Sequence, residues 1–325
     1  MQSVERPPPL LLNPRPPDAS EVPAEILEMP CGAFGAIHVG RRFMQEDRLA
    51  ACDVSCPLLP SAQLYVVIDG HGGSSAPDFC REYLPGAIAR RMLVLQDAPL
   101  VPQLCDVLTR SFIETERALA AHMDAMIYTP PDSGACVLAL LLLPHTMLIA
   151  SAGDCRALIV YKDGTCTSPA PEHTPSMPAE YARVQAAGFG VLGGRVGGVL
   201  AVSRSVGDFD LKRFSEADAS AGAEADASAV AEADASPVAE ANASVAYMPE
   251  AHHAVSCVPT IVEVPRDAAQ LAALLLTDGV YEVMPNEAMA SLCTSVPLSA
   301  VPSAAIKAAI ASHSCDNLSC IALPL

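Results

Sequence analysis

Hydrophobic residues in this chain come in short runs, several of which end on acids. Strand-like runs fall at Ala33–Val39, Leu64–Ile68, Val137–Leu143, Met147–Ser151 and Ala157–Tyr161. Others follow at Val199–Ser203, Thr260–Val264, Leu271–Thr277 and Leu318–Leu323. Many are apolar at successive positions, the pattern of strands covered on both faces. Between them the spacing turns helical. After Pro102, residues Leu104, Leu108, Phe112, Thr115 and Leu119 recur at three- and four-residue steps. That predicts one stripe toward a core, with Glu114, Glu116 and Arg117 facing water. Asp78–Gln96 and Pro178–Ala187 also read as helices, Pro178 suiting a first helical position and Gly188 a stop. A late pair is expected over Asn286–Cys293 and Val301–Ser312. Strands outnumber helices, and the helices fall in pairs between hairpins. This predicts an α+β fold, a central β-sandwich of two mostly antiparallel sheets flanked on both sides by helices, and not alternating βαβ units.

Two segments break the pattern. Residues 1–30 are a Pro-rich lead with little periodicity, expected to be extended and partly disordered. Residues 215–246 repeat an eight-residue unit: SEADASAG, AEADASAV, AEADASPV, AEANASVA. Eight matches neither a heptad nor a solenoid period. With no large apolar side chain to bury, the unit is expected to be a solvated, disordered insertion, or a charged tether, within a single domain spanning 31–325. Deleting it is expected to leave folding and metal binding intact.

The bulk composition narrows the function classes. A hydrophobic content of 51% supports a sizeable core, but aromatics are only 4% and Trp is absent, so aliphatic residues must fill it. The net charge of −18 argues against nucleic acid as a partner, because a phosphate backbone needs a basic face. The 12 cysteines are scattered, without C-x-x-C or zinc-type spacing, and read as reduced buried thiols. The longest apolar stretch, Val137 to Ala152, is interrupted by Pro144 and His145 and falls short of the ~20 residues that cross a bilayer. A buried strand–turn–strand suits it better. The lead lacks the features of a secretory signal, and Gln2 excludes an N-myristoylation motif, so cytoplasmic or nuclear residence is expected.

The acids at the ends of the apolar runs carry the chemistry. They stand in Arg42-Phe43-Met44-Gln45-Glu46-Asp47, Asp69-Gly70-His71-Gly72-Gly73, Gly153-Asp154, Asp278-Gly279 and Asp316-Asn317. Hard cations such as Mg²⁺ and Mn²⁺ take oxygen ligands of this kind. In Leu64–Ile68 a buried strand delivers Asp69 to its end, the glycines let backbone and substrate approach closely, and His71 stands ready to give up a proton. Arg42 offers a planar fork for phosphate oxygens. Each piece has a plainer reading: an i,i+4 pair between Arg42 and Glu46, a glycine-rich turn at 69–73, turn dipeptides at 278–279 and 316–317. Their joint occurrence favours a metal centre.

In order, the chain carries Arg42…Glu46-Asp47, Val67-Ile68-Asp69-Gly70-His71-Gly72-Gly73 and Ala152-Gly153-Asp154-Cys155-Arg156-Ala157. Glu172-His173-Thr174-Pro175 and Glu180…Arg183-Val184…Ala187-Gly188 follow. Leu200-Ala201-Val202-Ser203-Arg204-Ser205-Val206-Gly207-Asp208, Thr277-Asp278-Gly279-Val280-Tyr281-Glu282-Val283 and Asp316-Asn317 complete the set. In these motifs, from about 31 to 323, the chain resembles the metal-dependent serine/threonine protein phosphatases of type 2C.

The resemblance implies two Mg²⁺ or Mn²⁺ ions at one end of the sandwich, with a third, weaker position. Asp69 would bridge both ions, Glu46 and the Gly70 carbonyl would serve one, and Asp278 with Asp316 the other. Asp47 would act through water. Asp154 and Asp208 would lie toward the third position. Arg42 would hold the substrate phosphate, a metal-bridging hydroxide would attack phosphorus, and His71 would be the general acid. The partners implied are phosphoserine and phosphothreonine proteins, and a monomer is expected. A pseudophosphatase acting as a binding module, or a phosphatase for small phosphoesters, are the alternatives. Three departures bear on them: Glu282 where the family usually has Asp, Ala135-Cys136 in place of Ser-Thr, and Cys155 in place of Ser.

Overall fold

Two six-stranded sheets, antiparallel at every pairing, pack face to face in this computed structural model, which describes residues 23–96, 99–125, 133–212 and 253–325. One sheet runs β1 (Glu25–Glu28), β2 (Phe34–His38), β14 (Leu318–Pro324), β13 (Gln270–Leu276), β7 (Arg156–Tyr161) and β8 (Cys166–Thr167). The other runs β12 (Thr260–Pro265), β6 (Thr146–Ala152), β5 (Gly134–Leu142), β4 (Gln63–His71) and β3 (Arg48–Asp53), with β11 (Val206–Gly207) paired to β5.

Strand periodicity divides the apolar residues among three cores. Along β4 and β5, Leu64, Val66, Ile68, Val137, Ala139 and Leu141 face the helices α1 (Ser75–Leu93) and α2 (Val101–Ala125). The alternate residues Tyr65, Val67, Leu138 and Leu140 turn inward against Ala157, Ile159, Leu275 and Ile321 of the other sheet. On its outer face that sheet presents Leu158, Val160, Leu274 and Leu276 to Val280, Met289 and Ile306. Those three belong to α4 (Asp278–Tyr281), α5 (Asn286–Ser295) and α6 (Val301–Ala311). Central strands are therefore apolar on both faces, as the continuous runs predict. The helix–sheet–sheet–helix arrangement is the expected α+β sandwich.

A smaller lobe holds α3 (Pro178–Ala186) and the hairpin β9 (Val191–Leu192) and β10 (Arg195–Val196), over a core of Val184, Val196, Ala254 and Val255. Here one expectation fails. Val199–Ser203 is not a strand; it makes only an isolated bridge, Val196 to Leu200, before running on to β11. Leu200 and Val202 pack into this lobe and the inter-sheet core while Val199 and Ala201 are exposed, so the apolar run mimics strand patterning without a ladder. A second correction concerns α2. The stripe Leu104, Leu108, Phe112, Thr115 and Leu119 is buried as expected, but so is Glu116, fully, because a buried lysine meets it. β3 was not anticipated, its small residues giving little periodic signal. The last residues of the Pro-rich lead form the edge strand β1 on β2. Val137–Ala152 is the strand–turn–strand expected, and among the described residues no helix is long and apolar enough to cross a membrane. The repeat at 215–246 lies outside the described residues.

Candidate metal centre

Antiparallel pairing brings alternate strand ends to one rim. Ile68 faces Val137, Val137 faces Ala152, Leu276 faces Arg156 and Cys320. The ends of β4, β6 and β13 therefore meet the beginnings of β5, β7 and β14. Asp69 stands in the last residues of β4, Asp154 and Asp278 just beyond β6 and β13, and Asp316 just before β14. The loop 39–47 between β2 and β3 adds Arg42, Glu46 and Asp47. A cleft of ≈ 770 Å³ opens there, lined by Arg42, Glu46, Asp69, Gly70, His71, Asp154, Asp278 and Asp316 among others. All but one of the expected site residues thus border a single cavity.

The exception is Asp47. It lies beneath the cleft, 1% exposed, where its Oδ2 accepts hydrogen bonds from Ser319 Oγ at 2.7 Å and Thr277 Oγ1 at 3.0 Å. Sequence reading missed these two hydroxyls; nothing local marks them. Asn317 has a larger part than a turn. Its Oδ1 accepts from Glu46 N at 2.8 Å, and its Nδ2 donates to Val39 O and Met44 O. It thereby ties the 39–47 loop to the start of β14. Gly70 is held to its size: a Cβ there would run into Glu46 O and Pro77.

Charge is the dominant physical fact at this rim. Burial first, then the charges of Asp47, Asp278, Asp154 and Asp316, push the Asp69 carboxyl well above its ordinary value. Asp278 rises to about 7, through burial and then Asp154 and Asp316, against a hydrogen bond shared with Asp69. Asp47 also rises to about 7, chiefly through burial, against its two hydroxyl donors. Asp154 is raised for the same first reason. Such a cluster resists its own ionisation until positive charge arrives.

Among the described residues no three His, Cys, Asp or Glu side chains already stand around one ion. Hydrogen bonds account for several of the oxygens. Glu46 Oε1 accepts from Gly73 N at 2.6 Å, and Asp316 Oδ2 takes Arg42 Nη2 at 2.5 Å. Arg42 thus pairs with Asp316, not with Glu46 in an i,i+4 bridge. Asp208 is also committed: both its oxygens meet His71 Nε2, at 2.8 and 2.9 Å. The donor set, carboxylate oxygens with a nearby backbone carbonyl, fits a hard divalent cation once those side chains swing inward. Glu282 and Cys136 also border the cleft, Cys136 in register opposite Asp69.

The remaining motif residues hold this rim in place. His173 Nε2 meets Thr260 Oγ1 at 2.8 Å while its ring packs on Gly153; burial, then Arg204, pull it down to about 4, so the ring is neutral. Glu180 receives Arg204, Arg183 and Ser203, and those cations outweigh burial to hold it at about 2. Tyr281 Oη donates to Asp154 O at 2.8 Å, with the Arg156 guanidinium 3.8 Å over its ring.

Comparison with known proteins bears on the family and the fold. The family model described as Protein phosphatase 2C matches residues 34–318. A rice (Oryza sativa subsp. japonica) "Probable protein phosphatase 2C 54" is 31% identical over 189 residues, covering 56% of this chain and 49% of its own. A human "Probable protein phosphatase 1N" is 28% identical over 302 residues, 89% of this chain and 61% of its own. The chain thus spans about half to three-fifths of the length of these curated relatives. In fold it is similar to a serine-threonine phosphatase 2C from Toxoplasma gondii, with TM-score 0.67 and 17% identity over 93% of this chain and 97% of that one. A C. elegans sex determining protein superposes with the same TM-score at 18% identity, covering 93% and 64%.

Proposed function

The chain belongs to the protein phosphatase 2C family, and from that premise we propose that it hydrolyses phosphoserine and phosphothreonine esters in proteins with the help of Mg²⁺ or Mn²⁺. The carrying observation is the gathering of the buried carboxylates Asp69, Asp278, Asp154 and Asp47 at one rim, raised first by burial and, for Asp69, Asp278 and Asp47, by neighbouring carboxylates as well; bound cations would offset both effects. Glu46, Asp69, the Gly70 carbonyl, Asp278 and Asp316 would hold two of them, with Asp154 toward a third. When bound, such ions neutralise phosphate charge and lower the pKa of water. The chain's own residues do the rest. Arg42, half exposed at the mouth, offers two parallel donors to a phosphate. Asp47 stays behind the cleft, braced by Thr277 and Ser319, where it reaches the site through water. His71 stands at the edge; burial pulls its pKa down, but Asp208 outweighs that and holds it above the ordinary value, which favours the protonated ring. A departing serine or threonine oxygen is a poor alkoxide, and a positioned acid supplies roughly 10²–10⁴-fold there. Unbridged cysteines among the described residues support residence in a reducing compartment, cytoplasm or nucleus.

Turnover of a phosphothreonine peptide with and without Mn²⁺ tests the reading. Activity that depends on Mn²⁺ and disappears in Asp69→Asn is expected. A wild-type chain that binds Mn²⁺ tightly yet never releases phosphate would leave the binding-module alternative standing.

A further inference from the structure

Asp208 enters the scheme above only through its effect on His71, yet it is among the most constrained side chains near the cleft. It is 6% exposed, and its backbone sits in the left-handed region at φ 51°, which Asp tolerates better than most residues. Both carboxylate oxygens meet His71 Nε2, at 2.8 and 2.9 Å, and Ser205 Oγ donates to Oδ2. Its own N–H donates to Ser133 O at 3.2 Å. The segment that carries it is anchored by a fully buried ion pair. Lys212 Nζ lies 2.6 Å from Glu116 Oε1 and donates to Ser205 O at 2.8 Å, while Glu116 Oε2 accepts from Gly207 N at 2.8 Å. A carboxylate so bound is poorly placed to ligate a cation. It is well placed to orient a ring.

We propose that Asp208 is a positioning residue, which orients His71 to protonate the departing serine or threonine oxygen, and that the Glu116–Lys212 pair holds it there. This rests on the phosphatase reading. With Nε2–H donated to Asp208, Nδ1 is the ring nitrogen free of protein partners among the described residues. As a water-derived oxygen bonds to phosphorus, the ester P–O bond breaks and its electron pair leaves on the serine or threonine oxygen. That oxygen takes the Nδ1 proton. The ring is left neutral with its remaining hydrogen on Nε2, the tautomer Asp208 stabilises, and solvent restores the lost proton.

Leaving-group chemistry separates this from a merely structural role. A nitrophenolate departs without a proton; an alkoxide needs one. Full-length, Mn²⁺-loaded wild type, Asp208→Asn, Ser205→Ala, His71→Ala and the double variant His71→Ala/Asp208→Asn are compared on a phosphothreonine peptide and on 4-nitrophenyl phosphate. Asp208→Asn should lower kcat on the peptide about tenfold or more at unchanged KM, while the aryl ester changes by less than about twofold. The double variant should be no slower on the peptide than His71→Ala alone. Should Asp208→Asn fail to fold, Ser205→Ala, which removes one partner of the carboxylate, should show a smaller loss with the same substrate selectivity. Equal losses on both substrates, or a loss that multiplies in full on the His71→Ala background, would overturn the proposal. A wild type inactive on both substrates overturns the phosphatase reading, and this proposal falls with it.

Discussion

Arg42 donates to Asp316 at 2.5 Å across 274 residues of sequence, so a proposed phosphate clamp and a proposed cation ligand occupy one another. An acidic rim draws the nearest positive group to itself. Loading with divalent cations should release the guanidinium. Arg42→Ala should then raise KM for a phosphopeptide roughly ten- to a hundredfold, the worth of about 1.5–3 kcal/mol for a charged hydrogen bond. A fall in kcat with KM untouched would show that Arg42 does not hold the substrate phosphate.

The crowded carboxylates give stability a pH dependence of definite sign. Asp47 and Asp278 stand at about 7 in the fold against 3.8 ordinarily, and Asp69 is also raised well above its ordinary value. Between about 4 and 7 the folded chain keeps protons that the unfolded chain has released, so stability falls as pH rises through that window. The raised His71 acts in the same direction, while His173, lowered to about 4, opposes them below about 6.5 but is one group against three carboxylates. Thermal unfolding in chelator should therefore give a lower Tm at pH 8 than at pH 5. Adding Mn²⁺ should raise Tm more at pH 8, reversing or flattening the trend. A Tm in chelator that climbs from pH 5 to pH 8 would contradict this account of the rim.

Gly134 faces His71 across the β4–β5 ladder, and a Cβ added there would collide with the Asp208 carboxylate and His71 Nε2. Gly134→Ala should displace that pair while leaving the apolar cores intact. Phosphopeptide turnover should drop at least about tenfold, the scale of a mispositioned acid, with a far smaller change in Mn²⁺ affinity measured by calorimetry. Normal turnover in a folded Gly134→Ala protein would mean the pair is not needed in this geometry.

Lys212 and Glu116 are 2% and 0% exposed. Lys212→Met should cost about 3–5 kcal/mol by leaving a buried carboxylate unpaired, whereas Lys212→Met with Glu116→Gln should cost much less. Urea unfolding of both variants reads the difference. If the double variant is as unstable as the single one, packing and not charge accounts for the loss.

The motif residues show how far one chain of letters reaches. Asp69, Asp154, Asp278 and Asp316 are legible because a strand's apolar run ends abruptly, and that boundary is local. Val199–Ser203 misleads for the same reason: Leu200 and Val202 pack into cores without a partner strand. Glu116 misleads more instructively, since its place beside the helix stripe predicts solvent, and it is Lys212, 96 positions away, together with the Gly207 N–H, that makes burial tolerable.

What the sequence determines alone is the alternation of apolar and polar positions, and hence the sandwich, its helical cover and the acids at strand ends; short-range sterics and hydrophobic burial act within a few residues. What the tertiary structure decides is which of those acids line one cleft, which are buried against a neighbour's hydroxyls and which pair with an arginine or a histidine. Thr277 and Ser319 beneath Asp47, Asp316 against Arg42, and Asp208 against His71 are meetings of distant segments. Their energies come from charge and hydrogen bonding in a space that only the folded sheets enclose.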